Sequence, residues 1–283
     1  MTIQMPEPKG TLLGHATKYA ETYSPGLLQP IARSLGRDAI GAHDFRGVDV
    51  WRLYEFSWLE TSGLPVAAVV ELGVPASTPS IIESKSLKLY AMSFAMSVFE
   101  SEAVVAATLS RDLSAAAGGP VSVRLTRVSE WDARVAPIPG ELLERIAAPE
   151  APLCVYETDP ELLAPAADAE EDREVLWSTN LFRSLCPVTG QPDFASVSVR
   201  MRGRTPSPES LLAYLVSYRR HRGFHEQCVE QIFTDLSRRI SPDLLEVRAC
   251  FTRRGGIDIN PFRSSARDLP GEPAGESLRE LRQ

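Results

Sequence analysis

The chain has 283 residues, of which 43% are hydrophobic and 24% charged, the balance of a globular protein of one or two domains. Its net charge of −7 argues against a general nucleic-acid binder, since a phosphate backbone attracts a basic surface. The N-terminal residues do not resemble a signal peptide, and no window approaches the ~18 consecutive apolar residues that span a bilayer. The four cysteines lack metal-ligand spacing. We therefore expect reduced thiols, no metal, no membrane partner and a cytoplasmic protein.

The first half, residues 1–150, is predicted to form one domain of strands followed by a helix. Runs rich in Val, Leu, Tyr and Trp indicate strands over residues 48–56 and 66–72. A long helical stretch is predicted from about residue 87 to 116, interrupted or bent near Glu100. Residues 121–128 alternate apolar and polar side chains, which is typical of a half-buried strand.

The second half, residues 151–283, repeats this order. Ser207-Pro208 indicates a helix start, with the hydroxyl as N-cap and proline at the first helical position. The other predicted elements are a strand over 194–201, a helix over about 224–240, a strand over 244–252, a Gly255-Gly256 hairpin turn and a return strand over 257–259. The repeated order β-β-α-α-β-β predicts an α+β fold, with antiparallel sheets and helices packed on one face.

Two segments are predicted to lie outside the packed elements. An acidic, Pro/Ala-rich linker near residues 147–173 is expected to be exposed, because it has little apolar surface to bury. The residues after 264 are polar, with Pro and Gly, and are expected to form a flexible tail.

Cys186 is the first candidate for chemistry. It lies in a Pro/Gly-punctuated loop, and Asp193 follows seven residues later, so the pattern favours a nucleophile supported by an acid. The alternative is a small buried packing residue. That interpretation fits Cys228 and Cys250 better, because they lie at core positions of a predicted helix and strand.

Three further groups have both a structural and a functional interpretation. His225 and Glu226 open a helix, where a carboxylate is favoured by the helix dipole, but they also offer an imidazole and a hydrogen-bond acceptor. The run that begins with Glu83, Ser84 and Lys85 is either a capping sequence or part of a site. Arginine on the glycine hairpin suits phosphate recognition or serves solubility. From these residues alone, a cysteine hydrolase and a cysteine-dependent reductase both remain open.

Neither GxGxxG nor GxxxxGK[ST] occurs, so a Rossmann site or a P-loop is not supported. Four other runs together resemble the NADPH-dependent 7-cyano-7-deazaguanine reductases, the nitrile reductases of queuosine biosynthesis, in their long two-module form. The runs are Glu83-Ser84-Lys85-Ser86-Leu87-Lys88-Leu89-Tyr90, Leu185-Cys186-Pro187-Val188-Thr189-Gly190-Gln191-Pro192-Asp193, Phe224-His225-Glu226-Gln227-Cys228 and Arg253-Arg254-Gly255-Gly256-Ile257-Asp258-Ile259-Asn260-Pro261-Phe262-Arg263. The resemblance spans about Thr11 to Arg263.

The resemblance implies that Cys186, as a thiolate, attacks the nitrile carbon to form a covalent thioimide. It also implies that Asp193 protonates the nitrogen and that His225 relays protons later. Two NADPH molecules then complete the four-electron reduction to 7-aminomethyl-7-deazaguanine.

The resemblance also implies which residues bind. Those expected to bind the deazapurine are Ile82, Glu83, Ser84, His225 and Glu226, with the carboxylates accepting hydrogen bonds from the base. Those expected to line the NADPH site are Ser84, Lys85, Arg254 and Gly255.

The implied architecture is a pair of tunnelling-fold (T-fold) modules in a homodimer. The first module would carry the Glu-Ser-Lys signature and the second the cysteine, so the pocket is expected where the modules meet. Nucleic acid is not expected as a direct partner. Two alternatives stay open, a metal-dependent cyclohydrolase of the same fold and a purine-binding module with a degenerate site.

Overall fold

The computed structural model describes residues 19–132, 135–149, 152–167, 173–267 and 279–283. In chain order, its strands and α-helices are β1 (Pro30–Ala32), α1 (Ser34–Ile40), β2 (Gly47–Leu59), β3 (Pro65–Pro75), β4 (Ser80–Ile82), α2 (Ser84–Met92), α3 (Glu102–Ala117), β5 (Ser122–Arg127), β6 (Glu141–Leu142), α4 (Leu143–Ile146), β7 (Glu174–Leu185), β8 (Pro192–Arg202), α5 (Pro208–Ser217), α6 (His225–Arg239), β9 (Leu244–Phe251) and β10 (Ile257–Ser264).

Eight of these strands form one sheet, in the order β5-β3-β2-β10-β9-β8-β7-β6. Neighbouring strands are antiparallel except β6 and β7. The long hairpins β2–β3 and β7–β8 each carry a β-bulge near the middle of the first strand. Strand β10 lies between β2 and β9, so it joins the hairpins of the two halves into one continuous sheet.

Period-two alternation along the strands separates an apolar face from a polar one. On β8, Ala195, Val197 and Val199 belong to a core that also contains residues of α5 and α6, whereas Ser196 and Ser198 face the other side. A second core is formed by β2, β3, α2, α3 and two isoleucines of β10. The predicted α+β fold with mainly antiparallel strands and packed helices is confirmed.

The order of elements in the second half agrees with the sequence. Ser207 caps α5 as predicted, since its Oγ accepts a hydrogen bond from the backbone N–H of Ser210 at 3.2 Å. The hairpin turn is also confirmed: Gly255 and Gly256 have φ of +55° and +78°, the left-handed region that favours glycine. The boundary near residue 150 between two domains stays a prediction.

The helical stretch predicted over residues 87–116 is interrupted near Glu100, one of the two predicted alternatives, and it forms the two helices α2 and α3. Helix α2 ends at Met92, and the backbone of Ser97 and Phe99 then pairs with Leu59 at the end of β2. Ser101 begins the next helix as its N-cap, with Oγ accepting from the Val104 N–H. Pairing with β2 therefore interrupts a stretch whose composition favours helix.

The described part of the predicted linker is exposed or half-buried, as expected, with the exception of Leu163. Leu163 is 1% exposed and packs in the core that contains residues of α5 and α6, and the acidic run 168–172 lies outside the described residues. The return strand continues to Ser264. Residues 268–278 lie outside the described part, but Gln283 is 1% exposed and its Nε2 donates to Phe251 O at 3.0 Å. A free tail is therefore wrong for residues 279–283.

Candidate active site

Cys186 is the first residue of the turn between β7 and β8. Its backbone N–H donates to Gln191 O and its carbonyl accepts from Gly190 N–H, both at 2.9 Å. Gly190, at φ +69°, allows the chain to reverse here. The Cys186 thiol is free and partly exposed, and its Sγ lies 3.5 Å from the backbone nitrogen of Thr189. The turn therefore presents the thiol at an edge of the sheet.

The environment of Cys186 favours its thiolate. Burial acts to raise the pKa of this thiol, but hydrogen bonds from Thr189, from the Val188 backbone and from Arg254 outweigh it, so the pKa is lowered. Burial instead raises the pKa of Cys228 to about 12 and that of Cys250 to about 11. The predicted division between one reactive thiol and two packing cysteines matches these environments.

Asp193, near the start of β8, joins the other predicted catalytic groups. Its carboxylate is 4% exposed, and Oδ1 lies 2.6 Å from Arg254 Nη2 and 3.5 Å from His225 Nε2. The same Nη2 donates to Gln191 O at 3.1 Å, inside the Cys186 turn. Arg254 is also one of the groups that lower the pKa of the Cys186 thiol. Asp193 therefore contacts both His225 and Arg254, and Arg254 links it to the turn that carries Cys186.

The His225 ring is held flat against Phe251. The two ring centroids are 3.7 Å apart and the ring planes differ by 5°, which fixes the direction in which Nε2 points. Among the described residues, His225 Nδ1 is buried with no hydrogen-bond partner. Because α6 begins at His225, the ring stands at the end of the helix that also carries Glu226.

Glu226 is a buried carboxyl group with an unused acceptor. The residue is 3% exposed, and its Oε1 has no hydrogen-bond partner within the described structure. Burial raises its pKa to about 8, helped by the charge of Asp49 and opposed by Arg33 and Arg263. A ligand that offers N–H donors would supply the missing partner.

The raised pKa of Glu226 predicts a pH-dependent effect of Glu226→Gln on stability. Between pH 4.5, the ordinary value, and about 8, the folded protein keeps a proton that the unfolded chain releases, so stability falls as pH rises. A glutamine at position 226 carries no titrating proton, so the variant does not lose this stability as pH rises. We expect the variant and the parent to be similar near pH 5, and the variant to be relatively more stable at pH 8.5 by on the order of 3 kcal/mol. Urea unfolding at both pH values measures this, and a pH-independent difference would contradict it.

A buried ion cluster lies behind Glu226 and ties α6 to the first half. One turn further along α6, Glu230 accepts hydrogen bonds from Arg37 at 2.7 and 3.0 Å and from Arg263 at 2.8 Å. Arg263 also contacts Asp49 at 2.7 Å, as does Arg33. All five side chains are less than 10% exposed. The cluster fixes the helix that carries His225 and Glu226.

Glu83 is the N-cap of α2, which agrees with the structural interpretation. Its carboxylate accepts from the backbone N–H groups of Lys85 at 2.9 Å and Ser86 at 2.7 Å. Ile82 is buried, whereas Ser84 and Lys85 are exposed. No hydrogen bond or ion pair joins residues 82–85 to Cys186, Asp193, His225 or Glu226 in the described structure. Their binding roles stay predictions.

The hairpin of the second half approaches α2 of the first half at Gly255. A Cβ on Gly255 would collide with the side chain of Lys88, which lies on α2 one turn after Ser84. Arg254 Nε, next to this contact, is buried with no hydrogen-bond partner among the described residues. Basic side chains beside an unpaired donor fit the phosphates of a nucleotide.

The sequence interpretation missed two contributors. Phe251 is one apolar residue of a predicted strand, and nothing in its spacing indicates a stacking partner. The ion cluster had a weak signal, because Glu226 and Glu230 stand four residues apart and share one helix face. Within the described residues, no group of three or more His, Cys, Asp or Glu side chains could hold a metal ion, and no helix is long and apolar enough to cross a membrane.

Comparison with known proteins decides between the families left open by the residues. A family described as nitrile reductase, 7-cyano-7-deazaguanine reductase N-terminal region, matches residues 19–125, and one described as QueF-like protein matches residues 192–269. The chain belongs to the 7-cyano-7-deazaguanine reductase family. The resemblance inferred from the four sequence runs is thereby confirmed.

Relatives that match nearly the whole chain support the same family. Proteins named NADPH-dependent 7-cyano-7-deazaguanine reductase from Dechloromonas aromatica and Azoarcus sp. are each 47% identical, covering 96% and 93% of this chain and 94% of each relative. One of the same name from Burkholderia mallei is 44% identical, covering 98% of this chain and 99% of its own. The crystal structure of an apo archaeosine synthase QueF-Like matches 36% of this chain and all of its own, at 18% identity and a TM-score of 0.31, which is too low to support an argument.

Proposed function

We propose that this protein reduces the nitrile of 7-cyano-7-deazaguanine to the aminomethyl group of 7-aminomethyl-7-deazaguanine, with NADPH as the reductant. The observation that carries the proposal is the contact of Asp193 with both His225 and Arg254, beside the turn that carries the Cys186 thiol. A thiol with a lowered pKa beside a carboxyl group suits nucleophilic addition to a polar triple bond. The names of relatives at 44–47% identity agree with this reaction.

The covalent step belongs to Cys186 and Asp193. The sulfur adds to the nitrile carbon, the C≡N bond becomes C=N, and the nitrogen receives a proton from Asp193, which gives a thioimide. NADPH, when bound, supplies one hydride to this carbon and a second molecule supplies another after the thiol has left. His225 then provides protons to the amine nitrogen, since its Nε2 already faces Asp193 at 3.5 Å.

Recognition of the base is assigned to Glu226, with His225, Ile82, Glu83 and Ser84. The free Oε1 of Glu226 is a buried acceptor that matches the N–H donors of a guanine-like ring. A bound base would supply the hydrogen bond that this oxygen lacks. Analogues without those N–H donors should therefore bind more weakly.

The NADPH phosphates are assigned to the contact between α2 and the Gly255 hairpin. Ser84 and Lys85 stand exposed at the start of α2, and Arg254 offers an unpaired Nε. Gly255 permits close approach because a side chain there would meet Lys88. The residues present therefore fit the cofactor that the relatives' names specify.

The finer architecture is part of the same proposal. Each half contributes a long bulged hairpin that is followed by two helices of nine residues or more (α2 and α3, α5 and α6) and at least one further strand, which agrees with a tandem T-fold. A homodimer working in the cytoplasm, within tRNA queuosine biosynthesis, completes the proposal. Light scattering on the purified protein tests the dimer, and a monomer at micromolar concentration would contradict it.

NADPH consumption during turnover tests the reaction. Reduction of a nitrile to an amine requires two hydrides, so two NADPH molecules should be oxidised for each nitrile consumed. Absorbance reports NADPH and mass spectrometry identifies the aminomethyl product. No oxidation with the nitrile base, or a stoichiometry of one with an aldehyde product, would exclude the proposed function.

A further inference from the structure

Arg254 makes contacts inside the protein that binding of a cofactor would not require. Its Nη2 lies 2.6 Å from Asp193 Oδ1 and 3.1 Å from Gln191 O, which belongs to the Cys186 turn, and the guanidinium is one of the groups that lower the pKa of the Cys186 thiol. The side chain is 33% exposed whereas that of Asp193 is 4% exposed. One face of the group therefore reaches into the reacting pair while another remains open to a ligand.

The total charge of Cys186 and Asp193 does not change when a proton moves between them. Cys186 and Asp193 hold one negative charge whether the proton lies on sulfur, leaving a carboxylate, or on the carboxyl group, leaving a thiolate. A planar guanidinium that contacts Asp193 and the turn carrying Cys186 balances that charge in either arrangement. Moving the proton from sulfur to Asp193 then creates no uncompensated charge beside a carboxyl group that is 4% exposed.

We propose that Arg254 is a catalytic residue of the covalent step, holding Cys186 and Asp193 as a proton-sharing pair, besides any contact it makes with NADPH. The S–H bond breaks, the proton passes to Asp193, the S–C bond forms, and Asp193 returns the proton to the nitrile nitrogen. No oxidant or reductant is needed for this addition. The proposal rests on the proposed function, because it assigns a role within the same reaction.

Other ionisable groups also face the trio and belong in the account of its pH dependence. His225 and Cys228 approach from α6, where the charge of Asp193 helps to raise the pKa of Cys228. Arg222 approaches the turn at Gly190, and Lys88 approaches the hairpin at Gly255. None of these except His225 forms an ion pair with Asp193 in the described structure.

The test separates the covalent step from cofactor binding by leaving NADPH out. Wild type, Arg254→Gln and Arg254→Lys are mixed with the nitrile base, and adduct formation is followed by intact mass spectrometry. Arg253→Gln is the matched control, since it removes the same charge from the same hairpin but lies over the Tyr54 ring, 4.9 Å from its centroid. Circular dichroism checks that each variant is folded. If Arg254→Gln does not fold, Arg254→Lys carries the test, because it keeps the positive charge.

We expect Arg254→Gln to form adduct at least about tenfold more slowly than wild type. Arg254→Lys should be intermediate, because an ammonium group lacks the paired N–H donors of a planar guanidinium. Arg253→Gln should match wild type. Wild-type rates in Arg254→Gln would overturn the proposal and leave Arg254 a cofactor residue only.

A second readout does not depend on the substrate. The pH profile of Cys186 alkylation by iodoacetamide, read on its own peptide, should move to higher pH in Arg254→Gln and not in Arg253→Gln. If wild type forms no adduct, the proposed function fails, and this profile still decides whether Arg254 stabilises the thiolate. An unchanged profile would overturn that role.

Discussion

Replacing Cys186 with alanine is expected to abolish NADPH oxidation, lowering turnover by at least about 10⁴-fold. The reason is that the carbon to be reduced must first be bonded to sulfur, and Cys186 is the thiol whose pKa is lowered beside Asp193 and Arg254. Binding of the base should survive, because Glu226 and His225 remain. Steady-state NADPH absorbance measures the loss, and calorimetry measures the retained binding.

Cys154→Ala is the matched control for this loss. Cys154 is the other thiol with access to solvent, and it lies in the predicted linker rather than in the β7–β8 turn. The control should turn over like the parent protein. Retained turnover in Cys186→Ala, or its loss in Cys154→Ala, would contradict the assignment of the nucleophile.

Replacing Glu230 with alanine is expected to lower the free energy of unfolding by about 3–5 kcal/mol. Glu230 is the carboxylate on which Arg37 and Arg263 converge, and Arg263 is completely buried. Removing it leaves two buried guanidinium groups short of a counter-charge, and desolvated charges without partners are strongly unfavourable. Urea unfolding followed by circular dichroism measures the change at neutral pH.

Glu174→Ala provides the comparison, since Glu174 pairs with Arg200 at 2.7 Å but both side chains are more than 40% exposed. A surface pair of this kind contributes at most about 1 kcal/mol. Equal effects of the two substitutions would mean that the buried cluster does not hold α6. A loss of base affinity in Glu230→Ala is also expected, because α6 carries Glu226 one turn earlier.

Local patterns in the sequence predicted the elements that depend on local physics. Alternating Val and Ser along 196–199 predicted a strand with one apolar face, and Ser207-Pro208 predicted a capped helix, because burial and capping act within a few residues. An interruption or bend near Glu100 was predicted, but the end of the first helix at Met92 was not predictable in this way. It depends on pairing between the backbone of residues 97–99 and Leu59, some forty residues away in sequence.

The arrangement of the candidate site also could not be predicted from local sequence patterns. Cys186, Asp193 and His225 could be selected by residue type and by resemblance, yet their meeting depends on the β7–β8 turn, the start of α6 and the Gly255 hairpin. Arg254 was predicted to face only the cofactor. Its contact with Asp193 follows from the register of β8 and β9, which pairs Ala195 with Phe251 and which no short window of sequence encodes.

The most direct test of the account is intact mass spectrometry of the protein mixed with 7-cyano-7-deazaguanine in the absence of NADPH. We predict a mass increase of one whole base per chain, because addition of a thiol to a nitrile loses no atoms, and we expect digestion to map the increase to the Cys186 peptide. No mass increase, or an increase on Cys154, would contradict it.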